Sequence, residues 1–297
     1  MTFTRDDIRP GSAADRLAAA IGQTAPVCIG LDPVVERLPG ELQSLPAPDA
    51  FERFALTILD AVGGIAPAVK FQSACYERWG SPGVAALERG ARAARDRGFI
   101  VILDAKRGDI GISAGHYAAA ATSLGADWIT VSPYLGTETL EPFLDAGLGV
   151  FVLVRTSNPG SDQLQSLKLE GGATVSEQVA TELDRLGQSR RGEGGLSDVG
   201  AVVGATKAAD AAPLRQRMPS AIFLVPGFGA QGGTAEDVRA MVRPGAAAPA
   251  DAGVLVAASR SVIYPAGAGP LPQRVLDAAR AMAEQVSAAV ASPFRAM

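Results

Sequence analysis

The chain has one histidine and two cysteines among 297 residues, and that scarcity removes several chemistries at once. Histidine-rich zinc sites and metalloprotease motifs need at least two imidazoles. Only His116 could serve a Ser-His-Asp triad. It lies in Ser113-Ala-Gly-His-Tyr-Ala-Ala-Ala, a run that reads as the start of a helix, where an ordinary helix histidine is expected. Cys28 and Cys75 cannot build a disulfide framework, and both sit among apolar residues, so buried free thiols in a reducing compartment are expected. Long hydrophobic runs are also missing: none approaches the ~18 residues of a membrane span. Met1 to Pro10 carries Arg5, Asp6, Asp7 and Arg9 where a signal peptide would be apolar. These absences point to a cytoplasmic protein. Neither sign of charge dominates, since 27 Lys+Arg against 31 Asp+Glu leave a net charge of −4. That mild acidity argues against nonspecific binding to nucleic acid or anionic lipid, and makes a small molecule the expected partner.

What is present is a repeated alternation. Short apolar runs occur at Val27–Asp32, Ala68–Gln72, Phe99–Lys106, Trp128–Ser132, Val150–Arg155, Val199–Gly204, Ala221–Pro226 and Val254–Arg260. Between them lie stretches of helical periodicity, among them Asp49–Val62, Val84–Arg97, Thr137–Ala146 and Val175–Leu186. Continuous apolar strands joined by helical crossovers imply a parallel sheet buried on both faces. Eight such units in a chain of this length favour an α/β fold of the closed (β/α)8 TIM-barrel type, with an open doubly wound sheet as the alternative. Residues 1–297 then form a single barrel domain. The long connection at about 158–198 and the Ala/Pro/Gly loop from Pro244 to Gly253 are decoration on it.

Two segments can carry chemistry. The third strand leaves through Asp104-Ala-Lys106-Arg-Gly-Asp109, and residues two apart on a strand share a face, so Asp104 and Lys106 point the same way. If that way is inward, the C-terminal rim also gathers Asp32 from the first strand and Lys70 from the second. Isolated buried charges are costly, whereas alternating lysines and aspartates compensate one another. Charge at this end of a barrel usually means catalysis, although an ion-pair network holding the rim would use the same residues. The second segment is a pair of loops. Pro226-Gly-Phe-Gly-Ala-Gln231-Gly-Gly leads to Thr234-Ala-Glu-Asp237, a helix N-cap with an acidic first turn, and Ser259-Arg260-Ser261 follows the eighth strand. Loops after strands seven and eight are the usual phosphate site of a barrel, so a phosphorylated substrate is expected.

Taken in order, these residues resemble the orotidine 5′-phosphate decarboxylase family in its longer bacterial form, the type 2 subfamily. The resemblance rests on Gly30-Leu-Asp32-Pro, Val69-Lys70-Phe-Gln72, Asp104-x-Lys106-x-x-Asp109-Ile110-Gly and Ser132-Pro-Tyr-Leu-Gly136. It continues through Arg155-Thr-Ser157-Asn-Pro-Gly160, Pro226-Gly-x-Gly-Ala-Gln231-Gly-Gly and Ala258-Ser259-Arg260-x-x-Ile263. It implies a homodimeric barrel that converts orotidine 5′-phosphate to uridine 5′-phosphate in pyrimidine biosynthesis, with no metal or organic cofactor. It also implies roles. Lys106 protonates the ring carbon as carbon dioxide leaves, Asp104 faces the departing carboxylate, and Lys70 bridges the charges and the ribose hydroxyls. Asp109 enters the neighbouring subunit's site, where Ile110 and Ser113 also reach, Ser113 standing where the family often has Thr. Asp32 binds ribose, Ser157 the pyrimidine, and Gln231 with Arg260 the phosphate, with Pro226 and Ser259 beside them. Two other readings use many of the same residues: a Mg²⁺-dependent relative acting on a sugar phosphate, with the carboxylates as ligands, and a non-catalytic nucleotide sensor. Lys70 and Lys106 beside the proposed metal count against the first, and the cost of burying the charge array counts against the second.

Overall fold

The structure, a computed structural model, describes residues 11–229 and 232–291. Eight parallel strands close on themselves in sequence order: β1 Val27–Leu31, β2 Ala68–Gln72, β3 Ile100–Arg107, β4 Trp128–Val131, β5 Gly149–Arg155, β6 Ser197–Val203, β7 Ala221–Pro226 and β8 Val254–Ala258. Closure is made by β1 pairing with β8, Cys28 opposite Ala257. The main helices are α1 Ala13–Gln23, α2 Ala47–Val62, α3 Gly80–Asp96, α4 Gly111–Leu124, α5 Val175–Gly187, α6 Ala208–Arg217 and α7 Leu271–Ala291.

Two apolar sets result from strand alternation. Cys28, Ala68, Ile102, Trp128, Phe151, Val202, Leu224 and Leu255 fill the barrel, and Leu17 and Ile21 of α1 join the same cluster, which places α1 as a plug. Trp128 and Phe151 stack there at 4.3 Å between ring centroids. The alternate residues Ile29, Val69, Val101, Ile129, Val152, Val225 and Val256 face the helices, where they meet Phe54, Ile58 and Leu59 of α2. Every strand is thus apolar on both faces, as the sequence pattern requires for a buried parallel sheet.

Differences from the sequence reading are local. Thr137–Ala146 is a 3-10 turn, Thr137–Leu140, followed by the helix Glu141–Asp145, because Pro142 lacks an N–H and can sit only in a helix's first turn. Strand β8 ends at Ala258, and Arg260 begins a short helix, Arg260–Ile263. His116 is an exposed residue of α4, as expected. Cys28 is fully buried but Cys75 only partly so, and burial pushes the thiol pKa up to about 12 for Cys28 and to about 11 for Cys75. Among the described residues no helix is long and apolar enough to cross a membrane.

One charge inside the outer layer serves the fold alone. Among the described residues Arg215 of α6 is buried with no carboxylate partner, and its guanidinium donates to the carbonyls of Met218, Ala221, Met241 and Gly253 while lying 3.6 Å over the Phe223 ring. Burial draws its pKa down to about 9, so it stays cationic at neutral pH. It ties α6 to the starts of β7 and β8, below the site they support. Replacing it with methionine leaves four carbonyls short of a strong donor and should cost about 3–5 kcal/mol. Thermal unfolding of Arg215→Met is therefore expected roughly 10 °C below the parent; an unchanged melting temperature would show that those carbonyls are satisfied otherwise.

Candidate active site

The interior register that buries Ala68, Ile102 and Trp128 places Lys70, Asp104 and Thr130 two residues further along their strands, at the C-terminal end of the barrel. All three are buried. Lys70 Nζ lies 3.0 Å from Asp104 Oδ2 and 3.7 Å from Asp32 Oδ1, and Lys106 Nζ lies 2.5 Å from Asp104 Oδ1. Gln72 Nε2 adds a hydrogen bond to Asp104 Oδ2 at 3.1 Å, and the Thr130 hydroxyl donates to Oδ1 at 2.9 Å. Each oxygen of Asp104 therefore receives two donors. Burial by itself would raise the Asp104 pKa, but the two ammonium groups outweigh it and hold the carboxyl at about 2. Burial likewise pulls the Lys70 pKa down, and Asp32 and Asp104 overcome it, leaving that ammonium above its ordinary range. Asp104 and Lys70 are therefore both ionised at neutral pH.

Lys106 does not reach Asp104 by plain strand alternation. Between Leu103 and Arg107 the pairing of β3 with β4 shifts register, and Lys106 adopts φ +47°, the one left-handed non-glycine residue among those described. A bulge of this kind re-aims a side chain and costs backbone strain, which the surroundings must offset. Here the Lys106 N–H donates to Thr130 Oγ1 at 2.9 Å, so Thr130 holds both the bulge and the carboxylate that the lysine faces. The sequence reading missed Thr130 as a site residue and quoted Gln72 only within a motif. The available signal was register: each stands at an inward rim position beside Asp104.

These groups line a cavity of about 510 Å³. Its inner wall is apolar, from Leu153, Val202, Leu224 and Ala257, and Thr156, Ser157, Asn158 and Gln165 form one side. Pro226, Gly227 and Phe228 at the end of β7, with Ser259 and Arg260 just after β8, complete the lining. Ser259 donates to Asp32 Oδ2 at 2.6 Å, an approach possible because residue 30 is glycine: a Cβ there would stand 2.0 Å from Ser259 Oγ. Arg260 is exposed and, among the described residues, has no ion-pair partner. Thr234 caps the helix Ala235–Arg239 in a capping box with Asp237, as expected from sequence.

Of the sequence-derived site residues, the structure brings together Asp32, Lys70, Asp104, Lys106, Ser157, Pro226, Ser259 and Arg260. Asp109, Ile110 and Ser113 do not line this cavity; they lie past the strand end, with Ile110 and Ser113 exposed. Gln231 lies outside the described residues. Among the described residues no group of three or more His, Cys, Asp or Glu side chains is placed to hold a metal ion.

The sequence profile of the orotidine 5′-phosphate decarboxylase / HUMPS family matches residues 25–267. An orotidine 5′-phosphate decarboxylase of Rhodopirellula baltica is 42% identical over 271 residues, covering 84% of this chain and 88% of that protein. One from Deinococcus radiodurans is 43% identical over 249 residues, covering 81% and 85%. The structure of Leishmania donovani OMP decarboxylase superposes with a TM-score of 0.75 at 31% identity, covering 94% of this chain and 98% of that one.

The lowered Asp104 pKa makes stability depend on pH in a defined direction. Asp104 titrates at about 2 when folded against 3.8 ordinarily, so its contribution is complete above pH 3.8 and is lost as pH falls through 2. The difference corresponds to about 2 kcal/mol. Denaturant unfolding of the parent and of Asp104→Asn should converge as pH is lowered from 5 to 2. Curves that stay parallel would mean that Asp104 is not held by the lysines.

Proposed function

The chain belongs to the orotidine 5′-phosphate decarboxylase / HUMPS family, and from that premise we propose which of its residues perform the reaction. The reaction is decarboxylation of orotidine 5′-phosphate to uridine 5′-phosphate, a step of pyrimidine biosynthesis. The assignment rests on one observation above the others: Asp32, Lys70, Asp104 and Lys106 alternate in sign within hydrogen-bonding or ion-pair range at the rim of an apolar cavity. Breaking the bond from the ring to its carboxylate leaves the electron pair on an sp² carbon with no conjugation to spread it. A fixed cation beside that carbon lowers the barrier, and Lys106 supplies it; its Nζ proton then passes to the carbon, and the neutral amine regains a proton from water. Asp104 faces the departing carboxylate. Being ionised, it offers that group no donor. Lys70 and Asp32 hold the ribose hydroxyls, the Ser157 segment the pyrimidine, and Arg260, with Gln231, Pro226 and Ser259 alongside, the phosphate. Binding energy at the remote phosphate keeps the substrate in place against the charge it meets at the ring.

The same premise supports a homodimer with shared sites. Lys106 has a side chain 48% exposed, with Asp104 as its ion-pair partner among the described residues, so one flank is open to a further carboxylate. Next to that flank the end of the β3–α4 connection and the first turn of α4 expose Ile110 and Ile112, and the loop after β4 exposes Tyr134 and Leu135, with Ile112 82% and Tyr134 81% accessible, an apolar surface suited to burial against a second copy. Asp109, Ile110 and Ser113 are then contributed across the interface. The rest of the reading is a single barrel domain, in which the 158–198 connection carries the crossover helix α5, working in the cytoplasm without a cofactor.

Purified protein should release labelled carbon dioxide from orotidine 5′-phosphate, and do so after exhaustive chelation. Lys106→Ala should abolish turnover while keeping affinity for uridine 5′-phosphate, whereas Arg260→Ala should weaken that affinity roughly thirtyfold, about 2 kcal/mol. Activity that disappears on chelation and returns with Mg²⁺ would overturn the lysine mechanism, and unchanged product affinity in Arg260→Ala would remove the phosphate role.

Shared sites make a separate expectation. In a mixed dimer of Lys106→Ala with Asp109→Ala, one site carries both defects and the other neither. Equal random mixing makes about half the dimers mixed, so activity should return to about a quarter of the parent's from two nearly inactive proteins. No recovery after confirmed subunit exchange would place Asp109 in its own subunit's site.

A further inference from the structure

The side of the cavity formed by Thr156, Ser157, Asn158 and Gln165 has no regular secondary structure of its own at residues 156–158, yet it must present a hydroxyl at a defined place. What holds it is an arginine that does not line the cavity. Arg155, the last residue of β5, has a side chain only 4% exposed. Its Nε donates to Asp210 Oδ2 at 2.7 Å, in the first turn of α6; Nη2 pairs with Asp162; and Nη1 donates to Ser161 Oγ at 3.1 Å and to Gln165 Oε1 at 3.4 Å. Gln165 passes the constraint back to the cavity wall. Its Oε1 accepts the Thr156 N–H and its Nε2 donates to Thr156 Oγ1, both at 2.9 Å, and Thr156 Oγ1 donates to Asn158 Oδ1 at 2.7 Å. Lys207 Nζ closes the cluster on both oxygens of Asp162, at 2.9 and 3.0 Å.

The opposite side of the loop is fixed by close packing. Gly204, just past β6, donates its N–H to the Arg155 carbonyl at 2.8 Å. A Cβ at residue 204 would lie 3.0 Å from Ser157 Cβ and 3.2 Å from Ser157 N and Cα. Ser157 is therefore caught between the β6 exit and a segment that the guanidinium ties down. Two cations and two carboxylates make the cluster neutral, and none of Arg155, Asp162, Lys207 or Asp210 lines the cavity.

We propose that Arg155 is a positioning residue for substrate selectivity: by fastening residues 156–165 to α6 it sets where the Ser157 segment meets the base of the nucleotide, without touching the nucleotide itself. The proposal rests on the reading of the cavity as the orotidine 5′-phosphate site. It requires the planar fork, because one group must reach Asp210 with Nε and Asp162, Ser161 and Gln165 with its two terminal nitrogens. A lysine would keep the charge and reach only part of this set.

The test compares two inhibitors of orotidine 5′-phosphate turnover, uridine 5′-phosphate and ribose 5-phosphate, which share the sugar phosphate and differ by the base. In Arg155→Met the inhibition constant for uridine 5′-phosphate should rise at least tenfold while that for ribose 5-phosphate changes less than twofold. Arg155→Lys should not restore the ratio. Asp210→Asn, a change at a half-exposed carboxylate remote from the cavity, should move the ratio in the same direction by a few fold, and it serves where Arg155→Met fails to fold. A loss of stability alone would leave the ratio of the two constants unchanged. Equal weakening of both inhibitors, or no weakening of either in folded variants, overturns the positioning role. A parent enzyme that does not decarboxylate orotidine 5′-phosphate overturns the underlying functional reading instead.

Discussion

A carboxylate held between two ammonium groups at the top of an apolar barrel is the constraint on which the rest of the site depends. Asp104 could not stay ionised at its depth on its own account, since burial opposes its charge. Lys70 has the same difficulty with the opposite sign. Each makes the other tolerable, and neither can be removed without stranding its neighbour. The Gln72 and Thr130 hydrogen bonds complete the carboxylate's coordination. A site so fully paired has little freedom to reorganise, and an electrostatic catalyst benefits from that, because its dipoles and charges are already aimed before the reaction begins.

The bulge at Lys106 follows from the same constraint. Regular pairing of β3 with β4 would carry the strand straight past the rim. The shift of register and the left-handed backbone at Lys106 turn the lysine back onto Asp104 while leaving its other flank open. Thr130 belongs to both structures, accepting from the backbone of the bulge and donating to the carboxylate. Strain at one residue is thereby paired with the group that uses it, the usual arrangement where a backbone outlier sits in a functional site.

The two halves of the rim are supported differently. The reacting half stands on strands and owes its geometry to register. The half that forms the Ser157 wall stands on a connection, and its rigidity comes from the Arg155 cluster and the tight approach of Gly204. A barrel can vary such loops without disturbing the strands, which lets the selectivity of a site change while its chemistry stays in place.

Much of this was legible from residues alone, for physical reasons. Eight runs apolar on both faces admit few architectures other than a closed parallel barrel, and the rule that inward residues lie two apart placed Lys70 and Asp104 at one end of it. Ser259 and Arg260 were singled out by their place at the end of the eighth apolar run, where barrels bind phosphate. The sequence could not show that Lys106 arrives through a bulge, because register between strands is set by pairing across the sheet and not by either strand separately. Nor could it show that Thr130 and Gln72 coordinate Asp104, or that Arg155 reaches Asp210 across 55 residues. A threonine in an apolar strand and an arginine at a strand end look like packing and solvation until tertiary structure brings their partners within 3 Å or so. The charge alternation was determined by sequence; its coordination, which decides what the charges can do, exists only once the barrel has closed.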